Sequence, residues 1–220
     1  VKVDVSHDRD GRGAHDLGQR VRRSLIRHGQ TAGNALRRYI GSTDQPLTPE
    51  GMEGAKAAGA RRSVRSVFVT PLVRTQQTAR ILFPDAEQTV VPALREMDFG
   101  DFEDRSFEDM KDDPAYRAWV DGGCLASCPN GESVLEFSNR VYAGFLECVR
   151  ALPEETRRAV FVVHGGTIMA LMSRLARPEI AYFDAFAANC GGYACRLSVE
   201  EGKPVLLDAR RFERLPEELS

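Results

Sequence analysis

Short apolar runs alternate with stretches of helical period along most of this chain, beginning near Val21. Ser24 to Ile26, Val67-Phe68-Val69, Thr89-Val90-Val91 and the fully apolar Val160 to Val163 are too short for helices and read as strands. Thr48-Pro49-Glu50 places an N-cap before a proline at the first helical position and predicts a helix through about Arg62. Thr75 to Leu82 is the next helix. Ser133-Val134-Leu135-Glu136 matches a capping box, and Val134, Phe137, Val141, Phe145 and Val149 form one apolar face down to Leu152. Thr167 to Leu175 is helical again. Tyr193 to Val199 and Val205 to Ala209 predict a hairpin across Glu200-Glu201-Gly202-Lys203. Strands alternating with helices predict an α/β domain with a mostly parallel sheet, and the final hairpin one antiparallel edge strand. The acidic stretch from Phe99 to Gly131 breaks the alternation. It has short helical turns after Ser106 and a short helix from Asp113-Pro114 to Val120, and it reads as an insertion at about 99–131 covering one end of the sheet.

A chain of 220 residues fits one domain, assigned to residues 21–220. Residues 1–20 are polar and aperiodic and read as a disordered leader or an extension, with His7 and His15 as solvated tail histidines. The net charge of −2 excludes a general electrostatic footprint for nucleic acid or an acidic membrane. Any bound anion must therefore be held by a local group of arginines. No apolar run is long enough to span a bilayer and none near Val1 resembles a signal-peptide core, so the expected location is cytoplasmic. The cysteines number five and are expected as reduced thiols. Cys124 and Cys128 with Cys190 and Cys195 lack paired zinc-ligand spacing, so no metal and no cofactor are expected.

The chemistry gathers where strands end. Leu25-Ile26 runs into Arg27-His28-Gly29, Val67-Phe68-Val69 runs into Thr70-Pro71-Leu72-Val73-Arg74, and Val160 to Val163 runs into His164-Gly165-Gly166. Ligands of open α/β sheets bind outside the carboxyl ends of the strands. Three such ends would collect two histidines and two arginines in one pocket. Any one of them alone is as readily a turn residue or a solvated charge.

The string Arg27-His28-Gly29-Gln30-Thr31 with Asn34 resembles the signature of the histidine phosphatase superfamily, which includes phosphoglycerate mutases. The similarity extends through Thr70 to Ala79, Leu94-Arg95-Glu96-Met97-Asp98-Phe99-Gly100 and Val163-His164-Gly165-Gly166. The resemblance implies a phosphoglycerate mutase-like three-layer sandwich, with helices on both faces of a mostly parallel central sheet. It implies that His28 is the nucleophile, its second ring N–H held by a backbone carbonyl. Arg27, Arg74 and His164 would surround the phosphoryl oxygens. Gln30, Thr31, Asn34, Gly41 and Gly165 would bind substrate. Glu96 would be the general acid, its pKa raised by the neighbouring phosphate, with Asp98 and Asp101 as lesser rivals.

Within the family, Phe99-Gly100-Asp101-Phe102-Glu103 and the Asn130-Gly131-Glu132-Ser133 turn resemble the phosphatase branch. The expected activity is a metal-independent phosphomonoesterase acting on a small phosphorylated metabolite, with α-ribazole 5′-phosphate the first candidate and a tie to cobalamin biosynthesis. A phosphoglycerate mutase, a fructose-2,6-bisphosphatase-like enzyme and a catalytically silent phospho-ligand-binding protein are the alternatives. Asp104 stands where relatives commonly carry glycine, and a different turn is expected there because aspartate tolerates positive φ less well. Tyr39 to Ser42 and Phe107 to Trp119 are expected to wall the pocket. Phe102, Tyr116 and Trp119 either stack on a planar base or belong to the core. Arg140 and Glu132 either reach the pocket or form a surface salt bridge. The oligomeric state stays open, a homodimer included.

Overall fold

A computed structural model of the chain describes residues 22–153, 156–200 and 203–219. The leader assignment for residues 1–20 and the middle of the final hairpin turn lie outside the described residues. The strands are β1 (Arg22–Arg27), β2 (Ser66–Val69), β3 (Glu87–Val90), β4 (Arg158–Val163), β5 (Ala176–Arg177), β6 (Gly192–Glu200) and β7 (Lys203–Phe212). The helices are α1 (Ala32–Ala35), α2 (Pro49–Ala58), α3 (Val73–Leu82), α4 (Phe107–Met110), α5 (Pro114–Asp121), α6 (Val134–Ala151) and α7 (Gly165–Leu175).

The strands form one sheet in the order β3-β2-β4-β1-β6-β7-β5. β3, β2, β4 and β1 are mutually parallel, and β6 pairs antiparallel with both β1 and β7. The antiparallel strand thus lies towards one edge, with β7 and the two-residue β5 outside it. β1 and β4 are in register from Arg22↔Arg158 to Arg27↔Val163.

Alternation along these central strands sends side chains to two separate cores. Leu25, Phe161 and Val163 join Phe137, Val141 and Phe145 of α6 and Ile168 and Leu171 of α7 on one face. Ile26, Val160 and Val162 join Ala55 of α2 and Ala79 and Leu82 of α3 on the other. A strand buried on both faces needs no polar alternation, which is why β4 reads as an unbroken apolar run. The 99–131 segment is more than a cover: Phe102, Met110, Tyr116 and Trp119 are buried in the α6–α7 core.

The caps explain the element bounds. Thr48 accepts from Gly51 N–H and opens α2, but Gly59 at φ +90 stops it at Ala58, short of Arg62. Ser133 and Glu136 make the capping box of α6. α3 begins two residues before the sequence suggests. Its N-cap, Leu72, has no capping side chain, and the Asp44 carboxylate accepts from Val73 N–H at 2.8 Å instead. Among the described residues, no helix is long and apolar enough to cross a membrane.

Candidate active site

The carboxyl ends of β1 and β4 bring His28 and His164 together, their rings edge to face with centroids 5.2 Å apart. His28 is almost fully buried, and its Nδ1 lies 2.7 Å from the Gly29 carbonyl. A carbonyl only accepts, so Nδ1 carries the hydrogen and Nε2 keeps its lone pair. Burial, then Arg74, then Arg27 hold the His28 pKa well below the ordinary imidazole value, so the ring is neutral. Asn189 Nδ2 donates to the His28 carbonyl at 2.9 Å, and Thr78 on α3 accepts from Gly29 N–H at 2.9 Å.

His164 is buried with both ring nitrogens engaged. Arg74 Nε donates to Nδ1 at 3.3 Å, so Nε2 holds the hydrogen and donates to Thr70 Oγ1 at 2.9 Å. Thr70 in turn lies 3.0 Å from Thr75 Oγ1. Burial first, then Arg74, depress the His164 pKa as well.

Arg74 is fully buried, and its guanidinium also donates to Thr43 O and Gly41 O, each at 2.8 Å. Gly41 leaves room for the neighbouring segment: a Cβ there would run into the Met97 carbonyl and the Glu103 carboxylate. The Glu103 carboxylate holds the loop from its other side, accepting from the N–H groups of Gly41, Ser42 and Thr43. Arg27 donates to Ala187 O at 2.9 Å and lies over the Phe186 ring. Its Nε is buried without a partner among the described residues.

Glu96 is 8 % exposed. Its carboxylate accepts from Met97 N–H at 3.0 Å and from Gly166 N–H, in the first turn of α7, at 2.9 Å. Burial raises its pKa, against the pull of those two N–H groups and of Arg74 and Arg27. The expected direction is therefore present, but its leading cause is desolvation by the protein rather than a phosphate. Gly166 lacks a Cβ where one would collide with the Glu96 carboxylate. Arg95 pairs with Glu132, not with Glu96.

A cavity of about 300 Å³ opens over these groups. Arg27, His28, Asn34, Glu96 and Gly165 line it. Arg74, His164, Gln30, Thr31 and Gly41 are not among its lining residues. Arg74 and His164 stand behind His28 as a buried cation and its acceptor. Gln30 faces the start of α2, where its carbonyl accepts from Thr48 N–H. Thr31 is fully buried as the N-cap of α1. Asn34 Oδ1 accepts from Thr31 N–H and from Asn189 Nδ2, which leaves its amide nitrogen without a partner among the described residues.

The rest of the lining is largely apolar, with Ile40, Met97, Phe99, Trp119, Met169 and Phe186 prominent. Phe102 and Tyr116 belong to the core, whereas Trp119 is both core and cavity wall. Phe107 is exposed and away from the cavity. Arg140 is neither in the pocket nor on the open surface. It makes a two-point pair with Glu132 at 2.7 and 2.6 Å and donates to the carbonyls of Ala93, Arg95 and Glu96. Asp104 does adopt the left-handed conformation, at φ +55, so the turn keeps the shape expected of glycine. Aspartate is among the residues that enter this region most readily.

Strand-end reasoning does not find Thr70, Glu103 or Asn189. Thr70 appears in the sequence as the residue after β2 and the first of the Thr70 to Ala79 stretch, with no role attached to it. Asn189 lies in an irregular segment before β6, with no periodic or motif signal.

A mostly parallel sheet that gathers two histidines and two arginines at its strand ends is the arrangement of a family of phosphatases and mutases. The chain belongs to the histidine phosphatase superfamily (branch 1), whose family model matches residues 24–210. It is 36% identical over 158 residues to the probable phosphoglycerate mutase GpmB of Enterobacter sp. (strain 638), covering 69% of this chain and 73% of that protein. The Proteus mirabilis (strain HI4320) protein of the same name is 36% identical over 176 residues, covering 76% of this chain and 80% of its own. Among solved structures, the α-ribazole phosphatase from Shigella flexneri superimposes with a TM-score of 0.72 at 25% identity, covering 89% of this chain and 98% of that one.

Proposed function

We propose that the chain is a phosphomonoesterase working through a phosphohistidine at His28, with no metal in the reaction. The observation that carries this reading is the 2.7 Å bond from His28 Nδ1 to Gly29 O, which leaves Nε2 unprotonated on a residue that lines the cavity. In the first step Nε2 attacks phosphorus, the ester P–O bond breaks, and the leaving oxygen takes the proton of the Glu96 carboxyl group. In the second step the Glu96 carboxylate takes a proton from water as its oxygen attacks phosphorus. The P–N bond breaks and inorganic phosphate leaves. Arg27 supplies positive charge at the cavity wall, and Arg74 supplies it from behind His28. The amide nitrogen of Asn34 and the α7 N-terminus at Gly165 add neutral donors.

The first candidate substrate is α-ribazole 5′-phosphate, a reading supported by the likeness to the Shigella flexneri α-ribazole phosphatase. The apolar wall with Trp119 and Phe99 suits a planar leaving group. The names of the GpmB relatives favour a mutase as the second reading. Mutase action requires a second anion-binding group that retains the donor.

The test is hydrolysis of a chromogenic aryl phosphate by wild type and His28→Ala, alongside a panel of α-ribazole phosphate, phosphoglycerates and fructose bisphosphates. We expect a loss of at least about 10³-fold in His28→Ala and an acid-labile labelled adduct on the peptide containing His28. Undiminished turnover in His28→Ala removes this reading. Isomerisation of phosphoglycerate faster than its hydrolysis selects the mutase.

A further inference from the structure

The cavity lining holds two guanidinium groups, Arg27 and Arg38, and one carboxylate, Glu96. Arg27 stands beside the nucleophile. Among the described residues, Arg38 is therefore the one other lining cation available to a second negative charge on a substrate. It is not left to that task. Arg38 Nη1 lies 3.3 Å from Asp104 Oδ1, across 66 residues of sequence. Gln45 Nε2 donates to the same oxygen at 3.4 Å. Asp104 holds its place through backbone bonds as well as through φ +55, its N–H donating to Tyr39 O at 2.8 Å. Tyr39 and Ile40, the next residues after Arg38, both line the cavity.

We propose that Asp104 sets the charge of the substrates this site accepts. By neutralising Arg38 at the rim, it restricts the site to phosphomonoesters whose leaving part is uncharged, and it disfavours those bearing a second phosphate or a carboxylate. A second anion entering the cavity must take Arg38 from Asp104, and this costs binding relative to a neutral group of the same shape. The pair is half exposed, at 35% and 47% for its two side chains, so water and salt screen it and the effect is severalfold rather than absolute. The inference rests on the phosphomonoesterase reading of the same cavity.

The experiment compares phenyl phosphate with 3- and 4-carboxyphenyl phosphate, which differ by one charge. The enzymes are wild type, Asp104→Asn, Arg38→Gln and the double variant. Asparagine keeps the left-handed backbone accessible and removes only the charge. We expect Asp104→Asn to raise kcat/KM for the carboxylated ester about three- to tenfold relative to the neutral one. The gain should shrink at high salt and be absent when Arg38 is also glutamine. An unchanged ratio in Asp104→Asn, or a gain that survives in the double variant, overturns the proposal. Asp104→Gly provides a second variant should the asparagine chain fold poorly. Calorimetric binding of phenylphosphonate and 4-carboxyphenylphosphonate repeats the comparison without turnover. A charge-dependent shift there with no hydrolysis of any ester sinks the phosphatase reading alone. Normal hydrolysis with no shift sinks this one alone.

Discussion

Glu96 sits under two opposing influences, and their balance decides its chemistry. Burial favours the neutral acid, while two backbone N–H groups and the charges of Arg74 and Arg27 favour the anion. A carboxyl group balanced in this way can serve as proton donor in one step and acceptor in the next. Replacing it with the isosteric amide, Glu96→Gln, should slow hydrolysis of alkyl phosphates by about 10²–10³-fold and that of 4-nitrophenyl phosphate far less, because a good leaving group needs little protonation. Equal losses on both ester types would remove Glu96 as the acid. At this scale the sequence is most legible where a residue acts through its own functional group: His28, Glu96 and Arg27 all line the cavity. It is least legible where a residue acts through backbone space. Gly41 was expected to touch substrate, yet its carbonyl holds Arg74 and its missing side chain makes room for Met97. Asp104 shows the same limit, because aspartate is among the side chains that enter positive φ most readily and its N–H is held by Tyr39 O at 2.8 Å.

At the scale of the element, α6 carries the loop that bears Glu96. Arg140, two turns into that helix, ties the carbonyls of Ala93, Arg95 and Glu96 to the Glu132 carboxylate. Glu132 in turn accepts from Asp98 N–H at 3.0 Å. Arg140→Ala would strand three carbonyls and a half-buried carboxylate. It should lower unfolding free energy by about 2–3 kcal/mol in urea titrations and reduce kcat more than it raises KM. A stable variant with unchanged kcat would show that the loop keeps its shape unaided. The capping box of α6 and the proline starts of α2 and α5 were readable because each cap is local in sequence. The start of α3 was not, since its cap comes from Asp44, 29 residues away. Caps supplied through space leave no mark in a local window.

Across the whole molecule, two buried neutral imidazoles couple stability to pH. Both folded pKa values lie below the unfolded value of about 6.5, so the unfolded chain takes up protons first as the pH falls. Stability is therefore lost from about pH 6.5 downward. Glu96 acts with the opposite sign: its folded carboxyl binds a proton above the pH at which the unfolded one does, and it favours the folded state as the pH falls through its raised pKa. The melting temperature should fall between pH 7 and pH 5, as the unfolding free energy drops by up to about 1.4 kcal/mol per pH unit for each histidine. His164→Gln should make the profile shallower, and an identical slope in that variant would contradict the assignment. The parallel sheet and its helices were legible at this scale because apolar runs report burial on two faces. The distribution of those runs between two cores was not, since it depends on which strands become neighbours. That neighbourhood has one more effect. His28 and His164 each follow directly on the ladder pair Arg27↔Val163. A slip of one residue between these strands would displace one ring by about 3.3 Å and turn it to the opposite side of the sheet. Inserting a single residue into either strand should thus abolish turnover even in a chain that still folds, because the alignment of the two backbones is itself the ruler by which the reaction centre is measured out.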